Sequence, residues 1–183
     1  MNKIILAVVG LFGSGKTEIV EYLMKKTGWP KIYFGDATFD EMKKEGLEIN
    51  EANERKIREG IRAKLGMGAY AVLNIPKIKE LAGNSNVIVE SLYSWEEYLK
   101  MKKEFGDFFK VLATFSSPEK RIERIGIRPL RPLNREEAIS RDYSQIENLH
   151  QAGPIARADF TIINEGTKEE LYQQVDEIIK KLS

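Results

Sequence analysis

An apolar run at residues 4–9 ends directly in Gly10-Leu11-Phe12-Gly13-Ser14-Gly15-Lys16-Thr17, and no other feature limits the possible folds as sharply. The octapeptide has the form G-x-x-x-x-G-K-[ST]. Glycines at this spacing let the backbone curl so that successive N–H groups point inward at phosphate oxygens. A helix opening near Lys16 adds the positive end of its dipole. Lys16 then reaches the β- and γ-phosphates, and the Thr17 hydroxyl is placed to ligate Mg²⁺. A glycine-rich turn can match such a pattern by chance. Here the motif follows a strand-like run and opens an amphipathic helix over residues 17–26, with Ile19, Val20, Leu23 and Met24 on one face. That context favours phosphate binding. Gly10, Gly13, Ser14, Gly15, Lys16 and Thr17 are the candidate nucleotide-binding residues, with ATP and Mg²⁺ as the expected ligands. The extra Gly13 leans toward small-molecule kinases.

Further strand-like runs lie at residues 31–34, 87–90, 110–115 and 160–163, with helical stretches between them. Strands alternating with helices imply right-handed crossovers and a parallel sheet covered on both sides. Leu171, Val175, Ile178, Ile179 and Leu182 mark a closing amphipathic helix. Two segments interrupt the alternation. Residues 37–86 read as a polar helical insert whose thin stripe of Ile57, Ile61 and Leu65 predicts a mostly solvent-facing segment. Residues 126–140 are rich in Arg and Pro and read as mobile.

The chain of 183 residues fits one domain, and a formal net charge of +1 argues against a chain built to grip nucleic acid or an acidic membrane. There is no cysteine, which excludes disulfides, thiolate metal sites and a Cys nucleophile. No stretch approaches the length of a transmembrane helix, and Gly-Ser-Gly-Lys stands where a signal peptide would have its cleavage site. A cytoplasmic protein is expected.

With these residues in view, the chain resembles the nucleoside-monophosphate-kinase-like group of P-loop kinases, and within it the dephospho-CoA-kinase-like proteins of archaeal type. The landmarks run in order through nearly the whole chain. They are the P-loop, Gly35-Asp36, Arg62-Ala-Lys-Leu-Gly66, Glu90, Arg121 and Arg124, Arg141-Asp142, and Ala158-Asp159-Phe-Thr-Ile-Ile-Asn164-Glu-Gly-Thr167. The resemblance implies an α/β three-layer sandwich with a five-stranded parallel sheet of order 2-3-1-4-5. It divides one kinase domain into a core (1–36, 87–125, 141–183), an acceptor-binding insert (37–86) and an Arg-rich lid (126–140). The acceptor side departs from the family. Phe39 replaces an expected Arg, Glu90-Ser91-Leu92-Tyr93 replaces Asp-Gly-x-Arg, and Asp36 stands alone where Asp-x-Asp is usual in dephospho-CoA kinases.

Strand order 2-3-1 sets Glu90 beside the P-loop, as a metal-side or acceptor-side carboxylate. Asp36 then faces the acceptor, either orienting a hydroxyl as a base or, in the blander reading, capping a helix. Arg124 and Arg128 resemble the start of a kinase lid, where one guanidinium stacks on adenine and the next reaches phosphates. Arg131 and Arg141 are further phosphate- or acceptor-side candidates, whereas Arg135 and Arg121 suit a solvated helix with i,i+4 pairs. Arg55, Arg58 and Arg62 share a helix face, with Arg62 the best acceptor-binding candidate and a solvated face as its rival. Asn164 and Gly166 fall in the loop that lies against adenine in the related kinases. His150 reads as structural or surface. Trp95, Tyr98 and Leu99 read as core.

The leading function is an ATP-dependent kinase acting on a nucleotide-like small molecule: a nucleoside monophosphate, dephospho-CoA or another hydroxyl compound. Lys16, Asp36, Arg128 and Arg131 are its candidate catalytic residues, and a monomer or homodimer is expected. The alternatives are a nucleotide-dependent switch with slow ATPase activity and a polynucleotide 5′-kinase, the latter disfavoured by the near-neutral charge.

Overall fold

The computed structural model describes residues 3–129 and 132–182. Strand β1 (Ile5–Val9) shows why a continuous apolar run is needed here. Ile5, Ala7 and Val9 point into one hydrophobic cluster, Leu6 and Val8 into the other, and all five are fully buried. A strand alternates its side chains between faces, so only a sheet covered on both sides gives each residue an apolar partner.

Among the described residues the chain then runs through α1 (Lys16–Thr27), β2 (Lys31–Tyr33), α2 (Asp36–Lys44), α3 (Glu51–Leu65), α4 (Ala69–Leu81) and β3 (Val87–Glu90). After these come α5 (Trp95–Phe105), β4 (Phe109–Phe115), α6 (Pro118–Gly126), α7 (Arg135–Glu147), α8 (Ala152–Ala156), β5 (Phe160–Ile163) and α9 (Lys168–Leu182). The sheet is parallel with order β2-β3-β1-β4-β5, as the resemblance implied. Val8 pairs with Glu90 and Val9 with Ala113. Parallel strands put all their C-terminal ends on one edge, so the segments after β1, β2, β3, β4 and β5 converge there.

Helices α1 and α9 cover one face through Ile19, Val20, Leu23, Leu171, Val175 and Ile178. Met24, expected on the same stripe, is over a third exposed. Residues from α2–α5 cover the other face. The expectation that residues 37–86 are mostly solvent-facing fails for α4, whose Ala69, Tyr70, Ala71, Asn74 and Ile78 are buried. The polar Asn74 interrupts its buried stripe, and the apolar Val72 and Leu73 face solvent, so the pattern does not stand out in the sequence. In α3, Ile57 and Ile61 are buried but Leu65 is 47% exposed.

The proline-rich connection is shorter than expected, because α7 begins at Arg135 with a reciprocal cap between Asn134 and Glu137. The reading of Trp95, Tyr98 and Leu99 as core holds for two of the three. Trp95 stacks on the buried Tyr98 with ring centroids 4.8 Å apart, while Leu99 is solvent-facing. Among the described residues, no helix is long and apolar enough to cross a membrane.

Candidate active site

The loop after β1 is braced from outside. Gly10 O accepts hydrogen bonds from Gln151 Nε2 and Lys16 Nζ, both at 2.8 Å, and Leu11 O accepts a second from Lys16 Nζ at 3.0 Å. Thr114 Oγ1 and Asn164 Nδ2 donate to Ser14 O. Phe12 N–H donates to Gln145 Oε1, and Phe12 O accepts from Arg121 Nη1. The carbonyls are thus held by the protein, while the first N–H groups of α1 have no intrahelical partner. Gly13 and Gly15 sit at φ 82° and 95°, where a side chain is strained. A Cβ on Gly15 would meet Asn164 Nδ2 at 2.2 Å, and one on Gly13 would meet Arg121 O at 2.9 Å. The buried Ser14 hydroxyl has no partner in the described structure. An unpartnered buried hydroxyl in a loop whose carbonyls are taken up by the protein fits a phosphate chain.

Burial, followed by the charge of Arg128, lowers the Lys16 pKa to about 7; Glu90 opposes this, and Arg121 and Arg141 add to it. A phosphate would supply the negative charge that this ammonium lacks. One residue further on, Thr17 Oγ1 donates to Glu90 Oε1 at 3.3 Å, and Lys31 Nζ lies 2.8 Å from Glu90 Oε2. One hydroxyl and one carboxylate suit a hard cation that takes its remaining oxygens from phosphates and water. Among the described residues there is no cluster of three or more His, Asp or Glu residues able to hold a metal.

The arginines divide by environment. Arg121 contradicts the solvated-helix reading: it is 4% exposed and makes paired bonds of 2.7 and 2.6 Å to Asp142. It also donates to Ser116 O and Phe12 O, so it ties α6, α7 and the loop together. Its i,i+4 neighbours were the wrong partners because α7 folds back over α6. Arg135 is exposed as expected, though it pairs with Glu119 across sixteen residues, not within its own helix. Arg124 donates to Ser116 Oγ and Asn164 Oδ1, which brings two of the candidate nucleotide-side residues together. Arg128 and Arg141 converge on the Phe12 ring, their guanidinium carbons 4.4 and 4.1 Å from its centroid. Arg131 lies outside the described residues. Gly166 is exposed in the turn before α9, where Thr167 and Glu170 cap each other.

The acceptor-side candidates are less tightly assembled. Asp36 is the first residue of α2, so the cap position belongs to Gly35, which offers no side-chain bond. Asp36 edges a cleft of about 540 Å³ walled by α2, α3 and α4, including Ile57, Ile61, Lys44 and Lys64. Arg62 is not part of that wall. It lies over the Tyr70 ring at 5.2 Å, with a buried Nε that has no partner in the described structure. Tyr70 in turn bonds Thr38 on α2 at 2.6 Å. Arg55 pairs with Glu59 as a solvated face would, whereas Arg58 pairs with the buried Glu54. His150 is a surface residue bonded to Glu96. The residues missed by sequence reasoning are Phe12, Lys31, Ser116, Gln145 and Gln151. Gln151 lies 141 positions from Gly10, and no local pattern signals that contact.

Comparison with known proteins agrees with the fold. A family model described as AAA domain matches residues 6–145. A UPF0200 protein of Thermococcus onnurineus is 32% identical over 182 residues, covering 97% of each chain. Among solved structures, a shikimate kinase from Aquifex aeolicus superposes with a TM-score of 0.56 at 23% identity, covering 98% of this chain and 96% of that one. A gluconokinase from Sinorhizobium meliloti gives 0.59 at 16% identity, covering 98% and 93%. These likenesses show a P-loop kinase fold.

Proposed function

We propose that this chain, which belongs to the AAA domain family and to the UPF0200 proteins, is an ATP-dependent kinase of a small hydroxylated or phosphorylated molecule. The observation that carries the reading is the meeting of Lys16, Thr17 and Glu90 at the ends of β1 and β3, with Asp36 beyond the adjacent β2. That arrangement provides a phosphate-and-metal side and, one strand away, a carboxylate for an acceptor. Shikimate kinase and gluconokinase are fold neighbours named for small-molecule substrates, which supports the same class.

ATP-Mg²⁺, when bound, supplies the phosphoryl group and charge neutralisation. The loop N–H groups and Lys16 bind the phosphates, Thr17 and Glu90 hold the cation's protein side, and Arg124 with Asn164 border the nucleotide. Asp36 orients the acceptor and, where the attacking group is a hydroxyl, takes its proton. Arg128, Arg131 and Arg141 bring positive charge to the transferring group. Residues 126–140 close over the site and residues 37–86 recognise the acceptor. Catalysis is then positioning and charge compensation in a site that excludes water. The acceptors in order of preference are a nucleoside monophosphate, dephospho-CoA and another hydroxyl compound.

The test is an acceptor screen reading ADP release with ATP-Mg²⁺. A kinase releases ADP much faster with one small molecule than without any. Release that no small molecule stimulates but a protein partner does would replace the kinase with a nucleotide-dependent switch.

A further inference from the structure

Phe12 occupies a variable position of the phosphate loop, yet both its backbone and its ring are engaged by side chains from outside the loop. Both of its backbone polar groups are held, the N–H by Gln145 of α7 and the C=O by Arg121 of α6. Arg121 is itself locked by paired bonds to Asp142, the residue after Arg141. The half-buried ring therefore has a fixed position, and two cations from separate segments rest against it. Arg128 comes from the connection after α6 and Arg141 from α7.

Neither guanidinium has a carboxylate partner among the described residues, and both side chains are otherwise exposed. They stand near each other and near Lys16, whose depressed pKa partly reflects them. Three like charges would separate into solvent unless something held them. A ring face attracts a guanidinium through its quadrupole and engages only the flat face, leaving the N–H edge free. Edges free beside a phosphate loop are suited to paired bonds with phosphate oxygens.

We propose that Phe12 is a positioning residue that holds Arg128 and Arg141 at the phosphate site, so that their free edges meet the bound triphosphate. The inference rests on the nucleotide reading above and adds a role for a residue within the loop that touches no phosphate itself. An aromatic ring is required; apolar bulk is not enough.

Isothermal titration of the full chain with a non-hydrolysable ATP analogue and Mg²⁺ tests it. Phe12→Leu should weaken binding roughly fivefold to thirtyfold, the range expected for two partly desolvated cation–ring contacts. Phe12→Tyr should stay within about twofold of the parent. In an Arg128→Ala, Arg141→Ala background, Phe12→Leu should cause no further loss, since the coupling partners are gone. Thermal melts check that each variant folds. Equal or tighter binding by folded Phe12→Leu would overturn the inference, because the arginines would then be merely parked on the ring. So would a loss that persists undiminished without the arginines. A parent that binds the analogue with this coupling but phosphorylates no acceptor would sink the kinase reading alone. A transfer-active parent without the coupling would sink this inference alone. A parent that binds no analogue would sink both.

Discussion

The loop after β1 and the helices α2–α4, the phosphate and acceptor sides of the proposed function, are built on different terms. Around the P-loop, side chains from β4, α6, α7, α8 and the end of β5 grip backbone atoms of an eight-residue loop. Around α2–α4, much of the polar contact is between exposed side chains, such as Lys44 with Glu41 and Arg55 with Glu59. Exposed pairs of this kind contribute little, whereas a buried bidentate pair cannot lose one partner cheaply. Phosphate is the same in every nucleotide, so a rigid, backbone-lined cradle suits it. Acceptors differ, and in the proposed function their recognition falls to side chains on a looser frame.

Four experiments press on that contrast. The largest effect belongs to the centre of the cradle. Lys16→Ala should lower phosphoryl transfer by roughly 10²–10³-fold or more while the melting temperature holds, because Lys16 bonds only loop carbonyls, serves phosphate in the proposed function, and adds nothing to the apolar core. Near-normal turnover in the folded variant would end the kinase reading.

Next comes the bracing. Asp142→Ala leaves the buried Arg121 without its carboxylate and should cost about 3–5 kcal/mol in chemical denaturation. Glu41→Ala, on the acceptor side, should leave the midpoint unchanged within error. Similar destabilisation by both would erase the contrast.

The two carboxylates separate the regions functionally. Asp36→Asn should lower acceptor-dependent turnover by about 10²-fold with nucleotide affinity nearly intact. Glu90→Gln should instead shift the Mg²⁺ dependence, or change only the acceptor parameters if Glu90 serves the acceptor. If titrations of ATP, Mg²⁺ and acceptor match the parent for both variants, neither carboxylate belongs to the site.

The smallest effect is a pH dependence beside Arg62. Burial raises the Glu97 pKa to about 7, against bonds from Tyr93 and Ser94 N–H and the Arg62 charge, which lower it. A carboxyl raised on folding stabilises the folded state below its ordinary pKa. That contribution is lost as pH rises through about 7. Stability should therefore fall between pH 5 and 8 by on the order of 2–3 kcal/mol from this group, and Glu97→Gln should flatten the fall. An unchanged pH profile in Glu97→Gln would show that the group does not titrate in this window.

What could be read without a structure was whatever a few neighbouring residues specify. The run of five buried residues in β1, the glycine spacing and Lys16-Thr17 each express a local rule, either strand alternation or the φ values that only glycine adopts at no cost. Strand order and the nearness of Glu90 to the loop became legible through resemblance, and the sheet register agrees with them. The rest was decided by packing. Arg121 looked like a surface residue until α7 folded over α6 and enclosed it with Asp142. Arg62 looked like part of an acceptor face, but turns onto Tyr70, away from the cleft beside Asp36. Gln145, Gln151 and the two arginines on Phe12 lie more than a hundred residues from the loop they hold. Periodicity encodes which face of an element is apolar. Which polar side chain meets which backbone atom depends on how the elements close against one another, and that is set only when the whole core has formed.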